Sequence, residues 1–253
     1  MNRSQIGLQL YTVREVAKVD FLDTLTKVAA MGYPAVEFAG LHGHEAAAVR
    51  AHLDSVGIRA AAAHVPYQRF VDDTSEVVSE MKTLGCDFAV VPWIGEEHRS
   101  SVEAARAFVA SLSEIGKRVK AEGLRFGYHN HDFEFAQLAG GNGTTLWDLI
   151  LNESDPGIID LELDIYWVAY GGADPAALVA QSPERYPLLH FKDMAGEGDA
   201  RSDAPVGAGH MNFAPLVETS AATTQWYIVE QDVPSDPLAD AEISLRGMEA
   251  LIS

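Results

Sequence analysis

Short runs of apolar, β-branched and aromatic residues alternate along this chain with longer stretches whose apolar positions recur every three to four residues. The first pattern predicts strands and the second amphipathic helices. Eight strands are expected, at 6–12 (IGLQLYT), 35–40 (AVEFAG), 59–67 (RAAAAHVPY), 88–94 (FAVVPWI), 125–131 (RFGYHNH), 158–167 (IIDLELDIYW), 187–193 (PLLHFKD) and 226–232 (WYIVEQD). Between them lie helical segments such as FLDTLTKVAAMG, EAAAVRAHLDSVG and SVEAARAFVASLSEIGKRVKAEG, several closed by a C-terminal glycine. Four strands follow a helix ending in Gly-X, in MGYPAVEF, VGIRAAAAH, LGCDFAVV and EGLRFGYH. A repeat of one strand-plus-helix unit is what a (β/α)8 barrel requires. A doubly wound open sheet would place a glycine-rich phosphate loop after its first strand, and LYTVREVA has no glycine. The GGNG at 140–143 reads as a surface turn. The expected architecture is α/β, one barrel domain over residues 1–253.

Composition narrows the partners. The 18 Lys+Arg and 37 Asp+Glu leave a net charge of −19, which repels phosphate backbones and anionic membrane surfaces. No run of about 18 apolar residues occurs, and MNRSQIGLQLYTVRE carries no signal-peptide pattern, so a cytoplasmic protein with no nucleic-acid or membrane partner is expected. The single cysteine, Cys86, excludes an internal disulfide and reads as a buried strand-edge residue.

Barrel active sites sit at the C-terminal ends of the strands, so polar residues closing an apolar run carry the most weight. Asp160, Glu162 and Asp164 share one face of the sixth strand, and only Asp164 lies at its far end. Asp164 is therefore the expected metal ligand, with Asp160 and Glu162 nearer the bottom or outside. His190 and Lys192 share a face at the end of the seventh strand, and Glu230 ends the eighth. One histidine alone would read as a satisfied core residue. Carboxylate, imidazole and carboxylate from three neighbouring strands instead call for a cation, because buried charge without a partner is costly. His129, His131 and Glu134 all fall at or just beyond the end of the fifth strand. Such a mixed oxygen and nitrogen set suits one divalent ion, Mn²⁺, Mg²⁺, Co²⁺ or Zn²⁺. Tyr11, Glu37, His64, Trp93 and Trp167 fall near the same rim, where aromatic faces and polar tips would shape a pocket.

The fragments IGLQLYTVRE, GYPAVEF, GYHNHDFEF, LELDIYW, LLHFKD, VGAGHMNF and IVEQ, in this order, resemble the xylose isomerase-like TIM-barrel superfamily. Within it they are similar to the sugar phosphate isomerase/epimerase group, which includes ketose 3-epimerases, hydroxypyruvate isomerases, inosose dehydratases and dehydroshikimate dehydratases. The resemblance implies a single divalent metal held by Glu, Asp, His and Glu from strands five to eight. Asp164, His190 and Glu230 match three of these positions, while Tyr128-His129-Asn130-His131 places His129 where the family has its first glutamate. Glu134 is the expected replacement, with His129 and His131 as alternatives. Ketose epimerases of this kind use two metal-bound glutamates as acid and base, so a histidine or Lys192 must take over one proton transfer here. His131 is the leading base and Glu230 its partner, with His129 and Lys192 as further catalytic candidates. His210, in a loop similar to the family's glycine-rich one, is expected to reach the substrate.

The implied chemistry is polarisation of a sugar carbonyl, removal of the adjacent proton and stabilisation of the enediolate. Protonation on the other face gives epimerisation, at the next carbon isomerisation, and loss of a β-hydroxyl dehydration. The expected function is a sugar or keto-sugar isomerase or epimerase in carbohydrate metabolism. A lyase or dehydratase acting on a 3-keto sugar or inosose, and a non-catalytic sugar-binding barrel, are the alternatives. The resemblance also implies a homo-oligomer, dimer or tetramer. DNA repair endonucleases of the AP type share the barrel, but they need a basic face and three metals.

Overall fold

The eight apolar runs form eight short parallel strands in a computed structural model that describes residues 1–252. They are β1 (Ile6–Gln9), β2 (Ala35–Phe38), β3 (Arg59–His64), β4 (Phe88–Val91), β5 (Arg125–His129), β6 (Asp160–Asp164), β7 (Leu188–Phe191) and β8 (Trp226–Val229). Each pairs with its sequence neighbour, and β8 pairs with β1 to close the barrel. Every strand stops short of its expected C-terminal end. In β6 the cause is local. The Asp164 carboxylate accepts the Trp167 N–H at 2.9 Å and so starts the helix Ile165–Tyr170 inside the run that the apolar pattern assigns to strand.

The helices Phe21–Met31, Ala46–Val56 and Tyr67–Leu84 end on Gly32, Gly57 and Gly85, whose φ values of 102°, 73° and 81° only glycine adopts freely. Their apolar faces pack on the outward side chains of the barrel, including Leu8, Val36, Ala63 and Ala89. Inward, the lower barrel is a separate small core of Ala35, Ala61, Ala62, Phe88, Val90, Leu188, Trp226 and Ile228. It is filled to the wall: a Cβ on Gly7 would stand 2.7 Å from Ile228 Cδ1. At its base Arg125 pairs with Asp160 at 2.5 and 2.8 Å and lies over the Phe88 ring, and Arg59 lies over Trp226.

Beyond β7 the chain forms a two-stranded ribbon, Asp193–Ala195 against Ser202–Ala204. The Asp193 carboxylate accepts four backbone N–H groups, from Met194, Gly207, Gly209 and Met211, at 2.8 to 3.0 Å. Asp203 accepts the N–H groups of Asp232 and Val233 after β8. The GGNG segment is a surface turn closed by Leu138 N–H to Thr144 O at 2.9 Å. Cys86 is free and buried, and burial raises its thiol pKa. No described helix is long and apolar enough to cross a membrane.

Candidate active site

Period-two alternation puts the last inward residues of the strands into one polar layer above the small core. Glu37 comes from β2, His64 from β3, His129 from β5, Glu162 and Asp164 from β6 and His190 from β7, with Lys192 and Glu230 just past β7 and β8. The register places His129 beside Glu162 and Asp164 beside His190. Glu37, Glu162, Asp164 and His190 are completely buried.

Glu162 Oε2 lies at the centre of three imidazoles, 2.6 Å from His64 Nε2, 3.0 Å from His129 Nδ1 and 3.2 Å from His190 Nε2. Glu37 Oε2 accepts from Gln9 at 2.9 Å and meets His190 Nε2 at 2.7 Å. On the opposite side of the rings, His190 Nδ1 is 2.9 Å from Glu230 Oε2, and His129 Nε2 is 3.9 Å from Asp164 Oδ2. Lys192 donates to Asp232 at 2.8 Å and also stands 2.9 Å from Asp164 Oδ2 and Glu230 Oε2.

Five carboxylates thus share one permanent ammonium. Burial alone would raise the Glu230 carboxyl, but Lys192 and then His190 hold it well below the usual carboxylate range. Burial opposes charge on His190 too, yet Glu162 and Glu37 keep it protonated well above ordinary imidazole values. Burial, followed by the neighbouring Glu162 charge, lifts Glu37 to about 7.

One ligand atom each from His129, Asp164, His190 and Glu230 lies within 4.8 Å of the others, and a deeper group of His64, His129, Glu162 and His190 meets the same distance. Glu162 Oε1 and Glu37 Oε1 are buried and accept no hydrogen bond, while Asp164 Oδ2 is buried against the Lys192 ammonium alone. The upper group, two imidazoles and two carboxylates in a buried acidic layer, has a donor set that fits a divalent cation.

The sequence-based choice at strand five is corrected by this geometry. The turn Phe133–Phe135 carries Glu134 back beneath the strand, where its carboxylate accepts from Tyr128 OH at 2.6 Å and His131 N–H at 2.8 Å. It joins neither ligand group; His129, which β5 itself points inward, joins both. Burial pushes the Glu134 carboxyl up to about 7. Glu162 is the second correction: it lies inside the polar layer instead of near the bottom or outside. Glu37 sits in the floor of the site and not at its rim. Both were visible as inward positions in the alternation of their strands.

A cavity of about 450 Å³ opens above this layer, walled by Tyr11, Phe38, Leu41 and Trp93 on one side and by His64, His129, His131, Lys192, Glu230 and Asp232 on the other. Trp93 is 55% exposed at its mouth. The His131 ring stacks on Phe133 and approaches Trp167 at 5.6 Å, and its buried Nδ1 has no hydrogen-bond partner. Burial, with the Lys192 charge, pushes His131 down to about 3. Trp167 flanks the site through Lys192, whose Nζ lies 5.5 Å from the ring centroid. His210 lies outside the cavity lining: it is exposed, with Nε2 3.0 Å from Gly196 O.

A match to the xylose isomerase-like TIM barrel model extends over residues 25–251. The chain belongs to that family. Among curated members it is similar to inosose dehydratase of Geobacillus kaustophilus, 24% identical over 194 residues that are 67% of this chain and 61% of that one. The chain therefore spans less than two thirds of that relative. A sugar phosphate isomerase/epimerase from Parabacteroides distasonis superposes with a TM-score of 0.84 at 23% identity, covering 100% of this chain and 96% of the other. The IOLI protein, solved with a bound zinc atom, superposes with a TM-score of 0.76 at 14% identity over 98% of each chain. Members of the family include isomerases, epimerases and dehydratases, and they are enzymes.

Proposed function

We propose that this chain is a metal-dependent isomerase or epimerase of a sugar or keto-sugar, acting by proton abstraction next to a carbonyl. The observation that carries the reading is the convergence of His129, Asp164, His190 and Glu230 at the floor of the cavity, where Asp164 Oδ2 is held only by the Lys192 ammonium. A divalent cation held by these four side chains would polarise the substrate carbonyl and an adjacent hydroxyl. Two imidazoles and two carboxylates favour Mn²⁺, Co²⁺ or Zn²⁺ over Mg²⁺, which prefers an all-oxygen shell.

The remaining roles fall to the chain's own residues. His131 lines the cavity as a neutral imidazole and is the base that takes the proton from the carbon beside the carbonyl. Lys192 is cationic and stabilises the negative charge that develops on the substrate oxygen. Glu230, ionised beside Lys192 at 2.9 Å, relays a proton from that ammonium to the opposite face of the substrate, and Lys192 is recharged by the proton that His131 removed. Tyr11 and Trp93 give the sugar ring an apolar face, while His64 reaches its hydroxyls. The setting on this reading is cytoplasmic carbohydrate metabolism, in a homodimer or homotetramer.

A second reading, dehydration of a 3-keto sugar or inosose, is favoured by the imidazoles crowding one wall and by the inosose dehydratase relative. Its first step is the same, and a second proton then goes to the departing β-hydroxyl. Incubation with ketoses, 3-keto-glucose and an inosose in D2O with added Mn²⁺ separates the two by NMR. Deuterium uptake with the hydroxyls retained supports the isomerase, and loss of water supports the lyase. Absence of both, with and without metal, removes the proposal and leaves a sugar-binding barrel.

A further inference from the structure

The two ligand groups share His129 and His190, and they use opposite nitrogens of each ring. His129 turns Nδ1 down to Glu162 and Nε2 up toward Asp164; His190 turns Nε2 down to Glu162 and Glu37 and Nδ1 up to Glu230. An ionised carboxylate only accepts hydrogen bonds, so the ring nitrogens facing it carry the protons. The upper nitrogen of His129 is then a lone pair aimed at the cation site, and His190, whose Nδ1 also faces the ionised Glu230, would give up its Nδ1 proton when a cation binds.

We infer that Glu162 is a positioning residue which, by taking the rear N–H of His129 and sharing that of His190 with Glu37, sets their tautomers, fixes their planes and compensates for the carboxylate that strand five lacks. The inference rests on the metal reading of the upper group. A metal-ligating imidazole commonly donates its other N–H to a carboxylate, which orients the ring and raises its basicity. Here Glu162 accepts from His129 at 3.0 Å and stands 3.2 Å from the His190 N–H that Glu37 accepts at 2.7 Å. It also anchors His64 at 2.6 Å, whose ring stacks parallel on His190 at 5.4 Å and blocks its rotation. The charge argument is independent of the distances. With His129 where the resemblance expects a glutamate, the four ligands carry two carboxylates instead of three. Glu162, fully buried one layer down and in register with His129, returns that negative charge through an N–H···O bond. Glu37 supports His190 alone and also holds Gln9, so its share is smaller.

The test is binding of Mn²⁺ and Co²⁺ to the metal-free full chain, measured by competition with a chelator and by elemental analysis, for wild type, Glu162→Gln, Glu162→Asp and Glu37→Gln. Expected are one ion per wild-type chain and an affinity lowered about 10- to 100-fold in Glu162→Gln. The visible spectrum of its Co²⁺ form should shift, since an amide reorients the rings that a carboxylate holds. Glu37→Gln should fall between it and wild type, and Glu162→Asp should recover part of the affinity. Circular dichroism of each metal-free variant separates loss of binding from loss of fold. Wild-type affinity and spectrum in a folded Glu162→Gln chain overturn the positioning role and leave the metal reading intact. No ion in the wild type overturns the metal reading itself. Two ions in the wild type and one in Glu162→Gln make the deeper group a second cation site, which also overturns the role proposed for Glu162.

Discussion

The lower and upper halves of this barrel's interior are built on the same strands with the same period of two. Below, Ala35, Ala62, Phe88, Val90, Leu188 and Ile228 fill the space with hydrocarbon until a methyl group at Gly7 would collide. Above, Glu37, His64, His129, Glu162, Asp164, His190 and Glu230 fill it with charge and leave oxygens unpartnered. The lower half gains stability from every atom it holds. The upper half holds buried carboxylates against one ammonium, an arrangement that opposes folding and makes sense only as chemistry. One strand thus changes task within two residues, at Gly127 and His129 in β5 or Ile228 and Glu230 in β8.

The sharpest break of this comparison is Glu230→Gln. Loss of this proposed ligand and proton carrier should lower kcat/KM about 10²- to 10⁴-fold, while the metal-free chain still folds, with a melting temperature lowered by the Lys192 and His190 charges left less compensated. A collapsed melting temperature would show that the upper layer is scaffold after all. Phe88→Ala is the mirror experiment: denaturant unfolding should show a loss of about 3–5 kcal/mol, with Mn²⁺ affinity unchanged in the folded protein.

Glu134 tests the border between the halves. Its carboxyl is raised from 4.5 to about 7 in the fold, so the native state binds the extra proton. Its contribution is therefore full below pH 4.5 and is lost as pH climbs toward 7. Glu134→Gln, always uncharged, should gain on wild type by about 3 kcal/mol between pH 5 and pH 8, with metal content unchanged. Metal loss in this variant would restore Glu134 as a ligand. Smallest of all, His210→Ala should move stability by no more than about 0.5 kcal/mol and leave substrate KM alone; a raised KM would bring the 205–211 loop over the cavity.

The strands and their order were legible because each apolar run has a strand's length and four helices end in Gly-X. Asp164, His190 and Glu230, the residues proposed as ligands, were legible as polar residues closing those runs, and the structure brings them together. Glu162 was misplaced because height along a sequence is not height in a barrel. Strands tilt and stagger, so Glu162, two residues short of the strand's end, comes level with His129, the last residue of its neighbour. Glu134 was misplaced for a different reason. The reversal after Asn130 depends on a Tyr128 hydroxyl and a His131 N–H that meet the carboxylate only once the turn has formed. No linear pattern announces such a turn.

The four N–H groups gathered by Asp193 give the rim above β7 an anchoring of its own. Ribbon and loop are pinned at their root by one side chain of the barrel and, through Asp203, stitched to the segment after β8. The stretch between these anchors works as a cassette: its exposed residues are free to change in length and chemistry while the framework beneath stays still. Grafting that stretch from a relative, with Asp193 and Asp203 kept, would change the surface of the rim without touching the cavity lining or the floor beneath it.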